Sequence, residues 1–143
     1  GKITLDGNAT GSGHFYECFN LKTIILPNSV VRIDAGDFRF CENLTSITIG
    51  NNVEIIGNVA FDGCRSLTTI TLPASIKEIR KQAFYDCPNL TSVYVKAIIP
   101  PTIETEYNFE KTRTIYVPRS SVNAYKAANG WNEYADKIVG YDF

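Results

Sequence analysis

The chain repeats itself every 23 residues, and this period limits its folding more than any other property. Leu44 to Ser66 reads LTSITIGNNVEIIGNVAFDGCRS. Moved back by 23 it lands on Leu21 to Asn43, and moved forward by 23 it lands on Leu67 to Asn89, with no insertion either way. Leucines fall at 21, 44, 67 and 90, phenylalanines at 15, 38, 61 and 84, and cysteines at 18, 41, 64 and 87. A fixed period in the twenties marks a solenoid, in which each repeat is one turn of chain that buries its apolar face only against its neighbours.

Within one repeat, Leu44, Ile47 and Ile49 follow an L-x-x-I-x-I spacing. Alternation over Ser46 to Ile49 in β-branched residues predicts a short strand with Ile47 and Ile49 turned inward. Pro27, Gly50 and Pro73 share the next position and lead into Asn-Ser, Asn-Asn and Ala-Ser, which is turn chemistry. Val53 and Ile56, with Val30, Ile33, Ile76 and Ile79 at matching places, supply a second inward pair on the return side. Ala60-Phe61 and Ala83-Phe84 are expected to close the coil as a helical or 3₁₀ turn. Successive coils should lie about 4.8 Å apart, so that their strands form a parallel sheet.

The 143 residues read as one domain. Residues 1–20 form an incomplete first coil with a strand expected at Ile3 to Leu5, followed by turn-forming glycines. Residues 21–43, 44–66 and 67–89 are full repeats, and 90–117 are divergent ones. In the divergent part Ile99 still falls 23 after Ile76, Ile103 comes one residue late, and Ile115 with Val117 fits a final strand. Residues 118–143 are expected to cap the open end, with a helix over Val122 to Ala128 that is N-capped by Ser120 or Ser121 and stopped at Asn129-Gly130. Trp131, Tyr134, Ile138 and Val139 would give the cap a second apolar face. The predicted class is therefore a mostly β solenoid of the α/β kind, with a degenerate first coil and a cap containing a short helix.

The pattern L-x-x-I-x-L-P-x-S-V-x-x-I-x-x-x-A-F-x-x-C resembles the BspA-type leucine-rich repeats of bacterial surface proteins, over roughly Phe15 to Val95. The segment TIYVPRSSVNAYKAANGWNEYADKI, Thr114 to Ile138, also resembles the closing segment of that family. Asp37 departs from the pattern where later repeats have Ala60 and Ala83, and so does Gly50 where the others have proline. The resemblance implies an extracellular or surface location, and attachment to host matrix proteins or to other cells. By leucine-rich geometry, the outward strand residues are Thr23, Ile25, Ser46, Thr48, Thr69, Thr71, Ser92 and Tyr94. That surface is uncharged and rich in small hydroxyls, and it is the candidate docking face for a protein or glycan. Threonine also simply suits an exposed strand, which leaves a structural spacer without its own ligand as the alternative reading. Tyr94, Tyr107, Tyr116 and Tyr125 concentrate in the last third, where aromatic contact patches form or the cap is packed.

Composition narrows the alternatives. A net charge of −1 without a basic run gives no general attraction to nucleic acid or anionic membranes. No apolar stretch reaches the 18 or so residues that span a bilayer. The absence of methionine leads us to expect that Gly1 is not the translated start: the chain reads as a processed or a trimmed product, and a targeting segment is expected to have been removed. The stacked cysteines are expected to be buried free thiols, because parallel Cβ atoms one coil apart exceed the roughly 3.8 Å a disulfide prefers. No C-x-x-C or converging ligand set marks a metal, and no nucleotide, zinc-protease or EF-hand motif marks a cofactor. His14 falls one period from Asp37 and is read as an ion pair of small value rather than part of a catalytic triad. The expectation is a non-catalytic module that takes no cofactor.

Overall fold

The structure, a computed structural model, describes residues 2–4, 13–104 and 107–143. Leu5 and the loop expected over residues 5–12 lie outside them. The chain winds into stacked coils, with three parallel sheets among the described residues. The front strands are β1 (Lys2–Thr4), β2 (Thr23–Ile25), β4 (Ser46–Thr48), β6 (Thr69–Leu72), β8 (Ser92–Val95), β10 (Thr114–Pro118) and β11 (Ile138–Tyr141). The return side carries β3 (Arg32–Ile33), β5 (Ile55–Ile56), β7 (Glu78–Ile79) and β9 (Thr102–Ile103), paired in that order. Register follows the period, since Ile24 lies opposite Ile47, and Ile33 opposite Ile56. The first coil is shorter, with Lys2 opposite Thr23.

The inward columns are buried as the alternation requires: Ile24, Ile70, Val93, Ile115 and Ile138 on the front, and Ile33, Ile56 and Ile79 on the return side. The third side is a column of rings. Phe15, Phe38, Phe61, Phe84 and Phe109 stack at centroid spacings of 5.2 to 5.3 Å, and Trp131 continues the column at 6.1 Å. Each such pair contributes about 1 kcal/mol beyond the area it buries. Backbone bonds run beside the rings, from Phe15 N–H to Asp37 O, Phe38 N–H to Ala60 O and Phe61 N–H to Ala83 O. At the divergent coil the Asn108 side-chain oxygen takes over as the acceptor for Phe84 N–H, at 3.2 Å.

These corners are turns with no helix among the described residues, which corrects the expected helical or 3₁₀ closure. The reason is backbone conformation. Gly13, Gly36, Val59 and Gln82 have positive φ, and so do Glu17, Phe40, Gly63 and Asp86. Left-handed residues at two fixed places in each of these four coils end any right-handed turn before a helix can propagate. Gly50 replaces proline because a Cβ there would sit 2.5 Å from Pro27 O.

Past Val95 the coil is longer before Phe109 and shorter after it, so Ile115 still pairs with Val93. Ile99 keeps the numerical period but is 81% exposed, and Ile103 takes the place opposite Ile79. The cap is itself a further winding. After β10 come a 3₁₀ turn (Arg119–Ser121), the helix α1 (Val122–Ala127) and a 3₁₀ segment (Trp131–Lys137), and β11 then joins the front sheet with Ile138 opposite Ile115. Thr114–Pro118 is thus not the last strand, and Val139 faces outward, 40% exposed, rather than into an apolar face. Ser121 occupies the N-cap position but makes no side-chain cap; its hydroxyl donates to Ile98 O at 2.8 Å.

Cys41, Cys64 and Cys87 are buried free thiols in one column. Each Sγ donates to a carbonyl one coil below: Cys41 to Phe15 O, Cys64 to Phe38 O and Cys87 to Phe61 O, at 3.1 to 3.2 Å. Burial pushes the Cys41 thiol up to about 11 and the Cys87 thiol up to about 12, and drives Cys64 well above its usual value. Unfolded thiols ionise near pH 8.5, so folding stability is full below that value and declines as pH rises toward 11 and 12. We expect alkaline titration to lower the urea midpoint above about pH 9, and Cys→Ala at positions 64 and 87 to flatten that decline.

The front strands are not one continuous ladder. Among the described residues β4 and β6 share no pairing, so the front divides into β1-β2-β4 and β6-β8-β10-β11. One contribution can be read from the chain: Lys96 N–H donates to Leu72 O at 3.0 Å, whereas the equivalent residue one coil earlier, Pro73, has no N–H. Ile47, beside the opening, is only half-buried. Because Ser92 N–H bonds to Thr68 O, alternation points the backbone N–H groups of Thr69 and Thr71 toward the opening. Amide hydrogen exchange should therefore be markedly faster at Thr69 and Thr71 than at Ser92 and Tyr94, and equal protection at the four would contradict the division.

Candidate functional site

The front strands set the site, because alternation turns every second side chain outward. Thr23, Ile25, Ser46, Thr48, Thr69, Thr71, Ser92 and Tyr94 all lie on this outward face, exposed or half-buried. Register extends it to Thr114 and Tyr116 on β10 and to Val139 and Tyr141 on β11. None of these side chains carries a carboxylate, ammonium or guanidinium group. From β2 to β11 the face is an uncharged band, mostly of hydroxyls, that ends in aromatic residues.

At its C-terminal end four rings converge. Tyr94 and Tyr116, opposite one another on β8 and β10, stack at 4.4 Å with 9° between their planes. Tyr141 stands edge-on to both, at 5.2 and 5.5 Å. Phe143 packs edge-on against Tyr141 at 4.9 Å and reaches Tyr94 at 6.4 Å. Tyr141 and Phe143 nevertheless remain 41% and 50% exposed, an unusual display of aromatic area for a sheet face. Partial burial in this cluster, together with the Tyr116 and Tyr141 hydroxyls, raises the Tyr94 phenol above its usual value and keeps it neutral. Beside the cluster, Arg119 forks onto Asp142 at 2.9 and 3.2 Å, so the flanking charges satisfy each other.

Of the cluster, Tyr94 and Tyr116 are marked in the sequence by type and position. Tyr141 and Phe143 are not, because the strand that carries them is hidden behind a cap whose residues break the repeat pattern. Matching Ile115-Tyr116-Val117 against Ile138-Val139-Gly140, 23 residues apart, is the signal that finds them. Tyr125 belongs elsewhere: it is buried against Trp131, and its hydroxyl donates to Ala97 O at 2.7 Å. Tyr107 pairs with Tyr85 at the corner, away from the strand face.

The other groups with chemical potential are held by structure. His14 Nδ1 lies 2.7 Å from Asp37 Oδ1, and the buried Asp37 carboxylate also accepts from Asp34 N–H at 2.7 Å. This explains an acid where later repeats have alanine. Asp62, raised by burial despite Arg39, accepts from Arg39 Nε at 2.7 Å. Among the described residues no three of His, Cys, Asp and Glu converge as metal ligands, and no helix is long and apolar enough to cross a membrane. A groove of about 440 Å³ lies beside the exposed Ile98 and Ile99, where Lys77 and Glu54 pair with each other at 2.8 Å.

Stacked coils that present a strand on one side, four of them led by Leu21, Leu44, Leu67 and Leu90, define a leucine-rich repeat protein. The chain belongs to the BspA-type leucine-rich repeat family, whose model matches residues 8–126 as a region of six copies. Among solved structures it is similar to a leucine-rich repeat protein of Bacteroides ovatus, with a TM-score of 0.71, 24% identity and coverage of 99% of this chain and 36% of that one. It is also similar to a leucine rich cell surface protein of Faecalibacterium prausnitzii, with a TM-score of 0.64, 21% identity and coverage of 99% and 32%. The chain thus spans about a third of the length of these bacterial proteins, and the likeness establishes the fold. No curated protein matches it. Repeat families of this kind are generally non-catalytic.

Removing the His14 ring leaves Asp37 with its backbone donors, so His14→Ala is expected to cost about 1 kcal/mol in denaturant unfolding. The same variant should leave any biological activity of the domain unchanged; its loss would give the pair a direct chemical role.

Proposed function

We propose that the domain is a non-catalytic binding or adhesion module of a bacterial cell-surface or secreted protein, taking an extracellular protein or glycan on its front strand face. The observation that carries this reading is a neutral, hydroxyl-bearing sheet face that gathers four rings at one end and leaves two of them substantially exposed. Exposed aromatic clusters of this kind supply contact area at low entropic cost. The cell-surface description of one structural relative and the family's bacterial setting support an extracellular location. Free cysteines are compatible with that location because three are buried in a column, each with its Sγ donating to a backbone carbonyl.

The test is a screen of the domain against host matrix proteins and glycans, repeated with a triple variant carrying Thr48→Glu, Thr71→Glu and Tyr94→Glu. The parent is expected to bind and the variant to lose binding while keeping its far-ultraviolet circular dichroism spectrum. Binding retained by the variant would place the contact on another surface, and no binding by the parent would favour a spacer role.

A further inference from the structure

Resting on that reading of the front face, we propose that the Tyr94–Tyr116–Tyr141–Phe143 cluster is a carbohydrate subsite, and that its ligand is a neutral oligosaccharide. Charge is the first argument. The outward residues of β8, β10 and β11 around the cluster carry no formal charge, and beside them Arg119 and Asp142 neutralise each other. A protein partner brings a polar rim whose charges would be desolvated here without counter-charges.

The second argument is the pairing of chemical types. A sugar presents C–H faces and hydroxyl edges together. The cluster offers the matching halves: exposed Tyr141 and Phe143 rings, crossing the stacked Tyr94–Tyr116 pair at 71° to 78°, beside the Ser92 and Thr114 hydroxyls of the same strands. The phenol hydroxyls both donate and accept, as the threonine and serine hydroxyls do, so either sense of a sugar hydroxyl can be met. Rigidity is the third. Tyr94 and Tyr116 are locked by stacking on a paired stretch of sheet, and Tyr141 is packed against both, so little side-chain freedom is lost on binding.

The experiment titrates the full chain with cello-, malto- and chito-oligosaccharides, following the Tyr and Phe ring resonances by NMR and the affinity by calorimetry. At least one series is expected to bind, with an affinity unchanged by added salt. Tyr141→Ala and Phe143→Ala should each weaken binding about tenfold or more, as expected for a lost stacking contact. Tyr141→Phe should retain most of the affinity, and Tyr85→Ala, an exposed ring at the corner, should have no effect. Failure of all three series to bind at millimolar concentration would overturn the proposal, as would binding indifferent to Tyr141→Ala, or binding only of charged glycans. If the domain instead binds a matrix protein and the triple glutamate variant abolishes this, the front face stands as the docking surface and the carbohydrate assignment falls alone.

Discussion

Like side chains stacked directly over like side chains hold this molecule together. The clearest case is the phenylalanine column, with ring spacings of 5.2 to 5.3 Å from Phe15 to Phe109. Such stacking is open only to a chain that returns to the same place after each winding, so the 23-residue period is a geometric requirement rather than a compositional habit. The thiol column obeys it too, since each Sγ bonds to the carbonyl of the phenylalanine beneath. The polar corner does likewise, with Asn43 and Asn89 reaching Phe19 O and Arg65 O one coil down at 2.6 and 2.7 Å. Where the period changes, the column still governs. The longer path to Phe109 is compensated by a shorter one to Ile115, and both rings and strands remain in register.

This explains which parts of the fold are legible in the sequence. Residues 21–89 keep every column in place, so strand, turn, return pair and ring can be read from spacing alone. Beyond Val95 the columns persist but their residues change. Tryptophan follows phenylalanine at Trp131, an asparagine side chain replaces a backbone carbonyl at Asn108, and Ile103 rather than Ile99 fills the return column. Counting finds identities at fixed intervals, and at each of these places the identity or the interval is changed. The left-handed corner residues are hidden for a different reason. Val59 and Gln82 stand where other coils have Gly13 and Gly36, so the conformational demand is visible in one half of the column and masked in the other. Val59, being β-branched, adopts that conformation at a cost the surrounding coils impose.

The candidate site was half legible for the same reason. Thr48 and Thr71 follow from alternation within intact repeats, and Tyr94 from its continuation up to Val95; the structure turns all three outward as alternation requires. Tyr141 lies opposite Pro118 on a strand whose existence depends on the cap being a winding. What makes it one is polar anchoring at the open end. Tyr125 hydroxyl, Trp131 Nε1 and Ser121 hydroxyl donate to the carbonyls of Ala97, Pro101 and Ile98, at 2.7 to 2.8 Å. Those carbonyls belong to the divergent segment around Pro100-Pro101, where the chain has left the β8 strand and cannot satisfy them by sheet pairing. The helix therefore lies over the last coil, and the chain leaving it is aimed back along the front sheet.

Stability and recognition are consequently carried by different halves of the same strands. Inward residues are fixed by columns, and a changed ring or branched side chain there disturbs two neighbouring coils at once. Outward residues such as Thr69 and Thr71 contribute little to that packing, so substitution on their face costs the fold little. The division between β4 and β6 fits the same partition. The two strands share no ladder, yet their coils remain joined by the return pairing of Ile56 with Ile79 and by Val59 N–H to Lys81 O and Phe61 N–H to Ala83 O. A solenoid bonded on three sides tolerates a local loss on one of them. The side that loses its ladder is the side that carries the hydroxyls and rings, and the stacked core behind it is left whole.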